Sequence, residues 1–226
     1  MFEDYIEREN TIFGVLQALV NAGLNFIVVG GYAVSAYKHR FSVDVGIVIR
    51  AQDKAKFEEI LKKNSLVKTI VKDLDHVYAP EFIRYELKGK LPVSVDLLIG
   101  GIGSRTTTAS FSFEQLQEHA EKKKVVGTEK EVPVQIPKRE ILIALKLHSG
   151  RLTDFRDIAA LAKHIDIDLI ESILWRGKTD VVKENIKKLL LLLNKKEFMD
   201  SFRGVFMEKK YDIDGNEIRK LKKLLP

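Results

Sequence analysis

The stretch that decides the fold of this chain is residues 26–49, Phe26-Ile-Val-Val-Gly-Gly-Tyr-Ala-Val-Ser-Ala-Tyr-Lys-His-Arg-Phe-Ser-Val-Asp-Val-Gly-Ile-Val-Ile49. It predicts a buried strand over 25–29, a Gly-Gly turn, a brief helix over 32–38 and a second strand over 41–49. One acid, Asp44, interrupts the apolar sequence of that second strand. This order places the backbone N–H groups of a helix start near a carboxylate, an arrangement that suits a nucleotide phosphate beside a metal ion.

A second acid occurs in a similar setting further along the chain. Asp96 interrupts the apolar sequence predicted as a strand over 93–99. Because side chains alternate along a strand, Ser42, Asp44 and Gly46 are expected on one face of their own strand. A charge in a central strand is unfavourable unless it is paired or bound to metal. The pattern therefore favours a shared site for Asp44 and Asp96, and the alternative is a pair of edge-strand acids that face solvent.

The remaining patterns predict an α/β (α+β) chain in which a mixed sheet precedes a helical region. Periodicity and turn residues predict helices over 4–22, 51–64, 113–122 and 138–149, strands over 67–71, 82–87 and 93–99, a flexible loop over 100–108 and a hairpin over 125–136. Thr153 is predicted to cap the next helix, and only helical patterns follow residue 167. We therefore predict a sheet domain over 1–136 and a helical C-terminal domain over 137–226.

The composition limits the classes of protein to which the chain can belong. Its 226 residues are 45% hydrophobic and 31% charged, which is typical of a globular protein. The formal charge of +6 favours an anionic partner such as RNA or a nucleotide. There is no cysteine, which excludes disulfides and thiolate zinc sites. No apolar run approaches the roughly 20 residues that span a bilayer, and no signal-peptide pattern opens the sequence, so we expect a cytoplasmic protein with no membrane contact.

The combination of these motifs resembles the nucleotidyltransferase superfamily of polymerase-β-like enzymes, and most closely its AbiEii-type toxin branch. The resemblance covers roughly residues 20–165. It comprises a Gly-Gly-x-Ala turn, a His-x-x-Ser/Thr-x-Asp-x-Asp motif, a third Asp on a later strand and a helical stretch rich in Lys and Arg. The matching residues are Gly30, Gly31, Ala33, His39, Ser42, Asp44, Asp96, Lys146, Arg151, Arg156 and Asp157.

The resemblance implies that Asp44 and Asp96 are catalytic acids that hold Mg²⁺ in a two-ion site. It also implies that Asp157 organises Lys146 or helps to activate the acceptor. The departure is Gly46, where the family has a third metal-binding acid and this chain has no side-chain ligand. Three interpretations follow from that glycine: a weakened enzyme, a nucleotide-binding pseudoenzyme, or a chain from which the acid was removed because the active protein harms its host.

For nucleotide binding, the resemblance implies that Gly30 and Gly31 approach the triphosphate by their backbone and that Ser42 supports it. Lys146, together with Arg151, would contact the phosphates. The implied reaction transfers a nucleoside monophosphate from NTP to a hydroxyl acceptor such as tRNA or another RNA, and an antitoxin protein would counter it.

The same residues also have plainer interpretations. The two glycines could form a turn without a ligand, Lys146 could be a surface lysine, and Arg151, Arg156 and Asp157 could form ion pairs on a helix surface. His39 is expected to be structural. Two other classes of function therefore remain beside the enzyme: a binding protein that retains the cleft without turnover, and a helical interaction module in which the sheet domain is only a scaffold.

Overall fold

A computed structural model describes residues 2–73, 81–204, 206 and 213–225. The strands are β1 (Ile27–Val29), β2 (Asp44–Ile49), β3 (Val67–Asp73), β4 (Glu81–Leu87), β5 (Val93–Ile99), β6 (Gly101–Gly103), β7 (Ser110–Ser112), β8 (Ala120–Val126) and β9 (Glu131–Pro137). The α-helices are α1 (Phe2–Asn21), α2 (Gly30–Ser35), α3 (Lys54–Lys63), α4 (Phe113–Glu118), α5 (Arg139–Ser149), α6 (Leu152–Leu161), α7 (Ile167–Leu174), α8 (Thr179–Leu192), α9 (Lys196–Asp200) and α10 (Gly215–Arg219). Short 3₁₀ turns are Ala51–Asp53, Ser201–Gly204 and Lys220–Leu224.

Seven strands form one mixed sheet in the order β3-β4-β5-β2-β1-β9-β8. The β2–β5 and β1–β9 pairs are parallel, and the other neighbours are antiparallel. The mixed α/β fold predicted from the sequence is confirmed. Because β2 and β5 are interior strands, neither Asp44 nor Asp96 lies on an edge of the sheet.

The buried apolar side chains form one continuous cluster that extends from the sheet into the C-terminal helices. Helix α1 contributes the stripe expected from its periodicity, including Ile12, Leu16 and Leu19. Helix α5 contributes Ile141 and Leu142 to the same cluster. The boundary that we predicted after residue 136 falls at the junction of β9 and α5, and the division into two domains stays a prediction. Within the described part of the chain, no helix is both long and apolar enough to cross a membrane.

The structure corrects several predicted boundaries. Residues 41–43, predicted as strand, precede β2, because Ser42 is packed under the Gly-Gly turn. The predicted loop over 100–108 begins with β6, which pairs with β7. The helix predicted over 113–122 ends at Glu118, and residues 120–126 pair with β9 as strand β8. Here tertiary pairing outweighs the helical preference of the Glu and Lys side chains. Arg151, and not Thr153, occupies the N-cap of α6.

The Gly-Gly turn after β1 is itself the first part of α2, so the helix predicted over 32–38 begins at Gly30 and ends at Ser35. Both glycines are needed, for different reasons. Gly30 has a φ of 73°, in the left-handed region that favours glycine. Gly31 has no room for a side chain, because an added Cβ would lie 2.5 Å from Ser42 Oγ and 2.9 Å from Ser42 Cβ. The chain can therefore bring β1, α2 and the segment before β2 together only with glycine at both positions.

We predict that Gly31→Ala destabilises the protein by about 2 kcal/mol, the usual range for a side chain forced into a filled space. Gly14→Ala is the matched control, because Gly14 lies within α1 and an added Cβ there meets nothing within 4 Å. It should stabilise the protein by roughly 0.5–1 kcal/mol through helix propensity. Urea unfolding of both variants measures the difference, and equal effects would contradict the packing argument.

Candidate functional site

The sheet places Asp44 and Asp96 on one face of two neighbouring interior strands. In the parallel β2–β5 pair, Gly46 lies directly opposite Asp96, and Asp44 is two residues before Gly46. The Asp96 side chain is 13% exposed and the Asp44 side chain 43% exposed. The two acids that the sequence singled out are therefore close enough to share one partner.

That partner is Arg84 on β4, which lies opposite Asp96 in the antiparallel β4–β5 pair. Arg84 Nε donates to Asp96 Oδ1 at 2.7 Å, and Arg84 Nη2 donates to Asp96 Oδ2 at 2.8 Å. The same Nη2 donates to Asp44 Oδ2 at 3.1 Å. One guanidinium thus joins both carboxylates, with a bidentate contact to the more buried one.

The contact between Arg84 and Asp96 changes the pKa of both side chains. Burial raises the pKa of Asp96 above its usual value, the hydrogen bonds from Arg84 oppose that rise, and the charge of Asp44 adds to it. The hydrogen bonds to Asp96 raise the pKa of Arg84 still further above its high usual value. The arginine is therefore a permanent positive charge in this site.

Position 46 is the predicted location of a third acid, and its surroundings are tight. An added Cβ would lie 3.1 Å from Val29 Cγ2 and 3.8 Å from Leu98 Cδ1. Gly46 has no left-handed φ, so the backbone does not require glycine there. A Cβ at position 46 needs Val29 to move by only a few tenths of an ångström.

These residues do not fit the two-ion magnesium site that the resemblance implies. Such a site uses several carboxylates to hold the ions. Here two carboxylates face each other, and Arg84 already binds both of them. Among the described residues, no group of three or more His, Asp or Glu side chains is arranged to hold a metal ion.

A second charged cluster joins α5 to α6. Lys146 Nζ donates to Asp157 Oδ2 at 2.6 Å and to Asp154 Oδ1 at 3.0 Å. Arg151 Nε donates to Asp154 Oδ2 at 2.7 Å, and Arg40 pairs with Asp157. The side chains of Asp154 and Asp157 are almost completely buried, and that of Lys146 is 10% exposed. Lys146 is therefore a buried lysine between two acids, and the cluster is an interior one.

Asp154 is a member of this cluster that the sequence reasoning missed. It is the third residue of α6, and its carboxylate also accepts the backbone N–H of Arg151 at 3.2 Å. An acid three residues after the helix start is a capping signal, and it could have been read from the sequence. Burial alone would raise the pKa of Asp154, but hydrogen bonds from Arg151 and the charge of Lys146 lower it to about 2.

Three of the five predicted nucleotide-binding residues border a cleft of about 480 Å³ between the sheet and the α5–α6 cluster, and Gly31 and Ser42 are not among its lining. Gly30, Lys146 and Arg151 line the cleft, together with Phe82, Arg105 and other residues. Ser42 does not line it, because its hydroxyl is buried under Gly31 and donates to the Asp44 carbonyl at 3.2 Å.

Phe82 connects the cleft to the two acids. It lies two residues before Arg84 on β4, and the Arg84 Cζ atom is 5.9 Å from its ring centroid. Asp44, Arg84 and Asp96 do not themselves line the cleft, and Arg84 adjoins it through Phe82.

The structure places three other residues of interest outside this constellation or at its edge. His39 Nε2 contacts Glu9 Oε1 at 3.1 Å, which is a structural contact. Arg156 Nη1 donates to the Ser201 carbonyl at 3.4 Å and is not part of the Lys146 cluster. His148 lines the cleft, and burial lowers its pKa to about 4, so its ring is neutral at pH 7.

No protein-family model and no curated protein matches the chain. Among solved structures, a Helicobacter pylori protein assigned as a nucleotidyltransferase is 16% identical, with a TM-score of 0.54 over 98% of this chain and 94% of that one. JHP933 from Helicobacter pylori is 17% identical, with a TM-score of 0.52 over 98% of this chain and 91% of that one. The lincosamide antibiotic adenylyltransferase LnuA with bound lincomycin is 19% identical over 70% of this chain and 98% of that one, and its TM-score of 0.46 adds no weight.

The chain therefore has the fold of these two Helicobacter pylori proteins, one of which is assigned as a nucleotidyltransferase. In this chain the mixed sheet carries Asp44 and Asp96 on neighbouring interior strands. This agrees with the superfamily that the sequence resembles. Its place in the AbiEii-type branch stays a prediction.

We predict that Asp154 makes the stability of the protein acid-sensitive. Its pKa in the folded protein is about 2, against an ordinary value of 3.8. Its ionised form therefore contributes stability that is fully present above about pH 5 and is lost as the pH falls toward 2, by about 2 kcal/mol in all. Urea unfolding between about pH 6 and pH 2 should show a shallower pH dependence for Asp154→Asn than for the native chain.

The exposed Asp180 provides the control, because its side chain is 92% exposed. Asp180→Asn should keep the pH dependence of the native chain. An unchanged pH dependence in Asp154→Asn would show that the cluster does not hold Asp154 ionised.

Proposed function

We propose that this protein binds a nucleoside triphosphate in the cleft between the Gly-Gly turn and the α5–α6 cluster, and that it transfers nucleoside monophosphate poorly or not at all. The observation that carries the proposal is the position of Arg84, which joins Asp44 and Asp96 beside the glycine that replaces the third acid.

The cleft has the size and lining that a nucleotide requires. Its volume of about 480 Å³ lies within the roughly 300–1,000 Å³ typical of small-molecule sites. The wall formed by Phe82, Ile102 and Phe111 offers apolar surface for a base, and Arg151 offers positive charge for phosphates. Lys146 and Asp154 also line the cleft, where they are paired with each other. Arg151 is the more available of the two cations, because its side chain is 71% exposed.

Transfer is weak in this proposal because the reaction depends on positioned metal ions. Divalent ions held by carboxylates neutralise the triphosphate and activate the attacking hydroxyl. Here the two carboxylates are engaged by an arginine, and position 46 supplies no ligand. What supports the proposal is thus a cleft retained next to an altered metal site.

The active alternative is nucleotidyl transfer in the cytoplasm to the hydroxyl of an RNA such as tRNA, with an antitoxin protein as the natural inhibitor. It rests on the resemblance to the toxin branch. The net charge of +6 is the observation that favours an RNA partner.

We predict that calorimetry detects binding of at least one of the four NTPs and that Arg151→Glu weakens that binding at least tenfold, because the substitution reverses a charge at the cleft. Arg219→Glu is the matched control, since Arg219 is exposed on α10 and does not line the cleft. The NTP affinity of Arg219→Glu should equal that of the native chain.

The same preparation tests transfer with α-labelled NTP, magnesium and bulk tRNA. We expect no label on the RNA above the protein-free background. Failure of a folded native chain to bind any NTP would leave only the scaffold interpretation, and efficient labelling by the native chain would favour the active enzyme.

A further inference from the structure

Arg84 occupies its position because of the register of three strands. Arg84 is paired with Asp96 across β4 and β5, and Asp96 is paired with Gly46 across β5 and β2. The three residues therefore form one row across the sheet. Gly46, where the family has an acid, and Arg84 thus lie on either side of Asp96.

The charge of this row depends on whether position 46 carries an acid or a glycine. With an acid at position 46, three carboxylates would require a metal to balance them. With glycine there, Arg84 binds Asp44 and Asp96, and these three side chains carry one net negative charge. The carboxylate of Glu86, two residues further along β4, also acts on Arg84 and Asp96. The neighbouring cluster of Lys146, Arg151 and Arg40 against Asp154 and Asp157 carries one net positive charge. Arg84 and this cluster therefore offset part of the acid charge without a divalent ion.

The hydrogen bonds of the Arg84 guanidinium also occupy the carboxylate oxygens that would bind a divalent cation. Its bidentate bonds to Asp96 use both carboxylate oxygens, and its third bond uses one oxygen of Asp44. A divalent cation bound by these oxygens would lie close to a permanent positive charge of the same sign. Arg84 Nη1 has no hydrogen-bond acceptor among the described residues, and it can therefore still donate to an anion.

We infer that Arg84 takes the place of the divalent cation and that the cleft binds nucleoside triphosphate as the metal-free anion. This inference rests on the proposed function for its ligand. Magnesium then competes with the protein for the triphosphate, which is the opposite of the magnesium requirement expected of the family. Arg84 acts here as a binding residue, and its charge-assisted donors replace the contacts that a metal would make to the phosphates.

The first test compares ATP affinity in EDTA with ATP affinity in magnesium chloride. We expect the native chain to bind ATP in EDTA at least as tightly as in magnesium, and Arg84→Gln to bind it about tenfold more weakly in EDTA. Arg219→Gln should match the native chain in both buffers. Binding by the native chain that requires magnesium would overturn the inference.

The second test needs no nucleotide, so it separates this inference from the proposed function. Electron paramagnetic resonance of Mn²⁺ should detect no ion bound to the native chain at this site, and it should detect one in Arg84→Gln combined with Gly46→Asp. Mn²⁺ bound by the native chain and lost in Asp96→Asn would overturn the inference. If no variant binds ATP in either buffer, the proposed function fails and the Mn²⁺ result alone decides the role of Arg84.

Thermal unfolding of each variant shows whether it is folded. Arg84→Lys covers the case in which Arg84→Gln unfolds, because it keeps the charge and loses the bidentate geometry. We expect Arg84→Lys to keep part of the ATP affinity in EDTA. Full affinity in a folded Arg84→Gln would overturn the inference.

Discussion

The ion pairs between Arg84 and the two strand acids are the interaction on which the centre of this sheet depends. A carboxylate on an interior strand loses hydration, and it remains stable there only with a compensating charge or hydrogen bonds. Asp96 is the more buried acid, and it receives both donors of a bidentate contact. Asp44 is more exposed and receives one. The strength of compensation thus follows the degree of burial.

The same constraint explains the second cluster, where the helical part of the chain meets the sheet. Lys146 on α5 lies between Asp154 and Asp157 of α6, so the ion pairs hold the two helices together. Arg40, from the segment between α2 and β2, reaches Asp157. The cluster therefore fixes the helices against the Gly-Gly turn, and this contact forms one side of the cleft. Removing one member would leave a buried charge without its partner, which is far more destabilising than removing a surface ion pair.

The nucleotidyltransferase fold does not by itself decide the chemistry of this chain. Similarity at 16% and 17% identity establishes the arrangement of helices and strands. The site then depends on particular side chains, and here the row Arg84, Asp96 and Gly46 differs from the three-acid pattern of the superfamily that the sequence resembles. A fold can keep its cleft while the charges beside that cleft change. Two proposals follow from these particular residues: that the cleft binds a nucleotide, and that Arg84 takes the place of the divalent cation.

The sequence by itself determined the features that depend on local order. Period-two alternation placed Asp44 and Gly46 on one face, and the mixed sheet with helices after it followed from the pattern of strands and turns. Local pattern was a poorer guide at residues 120–122, where the predicted helix continued and the chain instead begins β8, because pairing with β9 decides the structure.

Only the tertiary structure decided which charge compensates the two acids. Arg84 is the basic residue of β4, beside Glu81 and Glu86, but its local sequence does not show which acids it faces. Its role arises from the register that pairs residues 81–87 with residues 93–99, and that register depends on how the strands pack together. The sequence could therefore show that Gly46 replaces one acid of the pattern that the chain resembles. The fold was needed to show that an arginine binds Asp44 and Asp96.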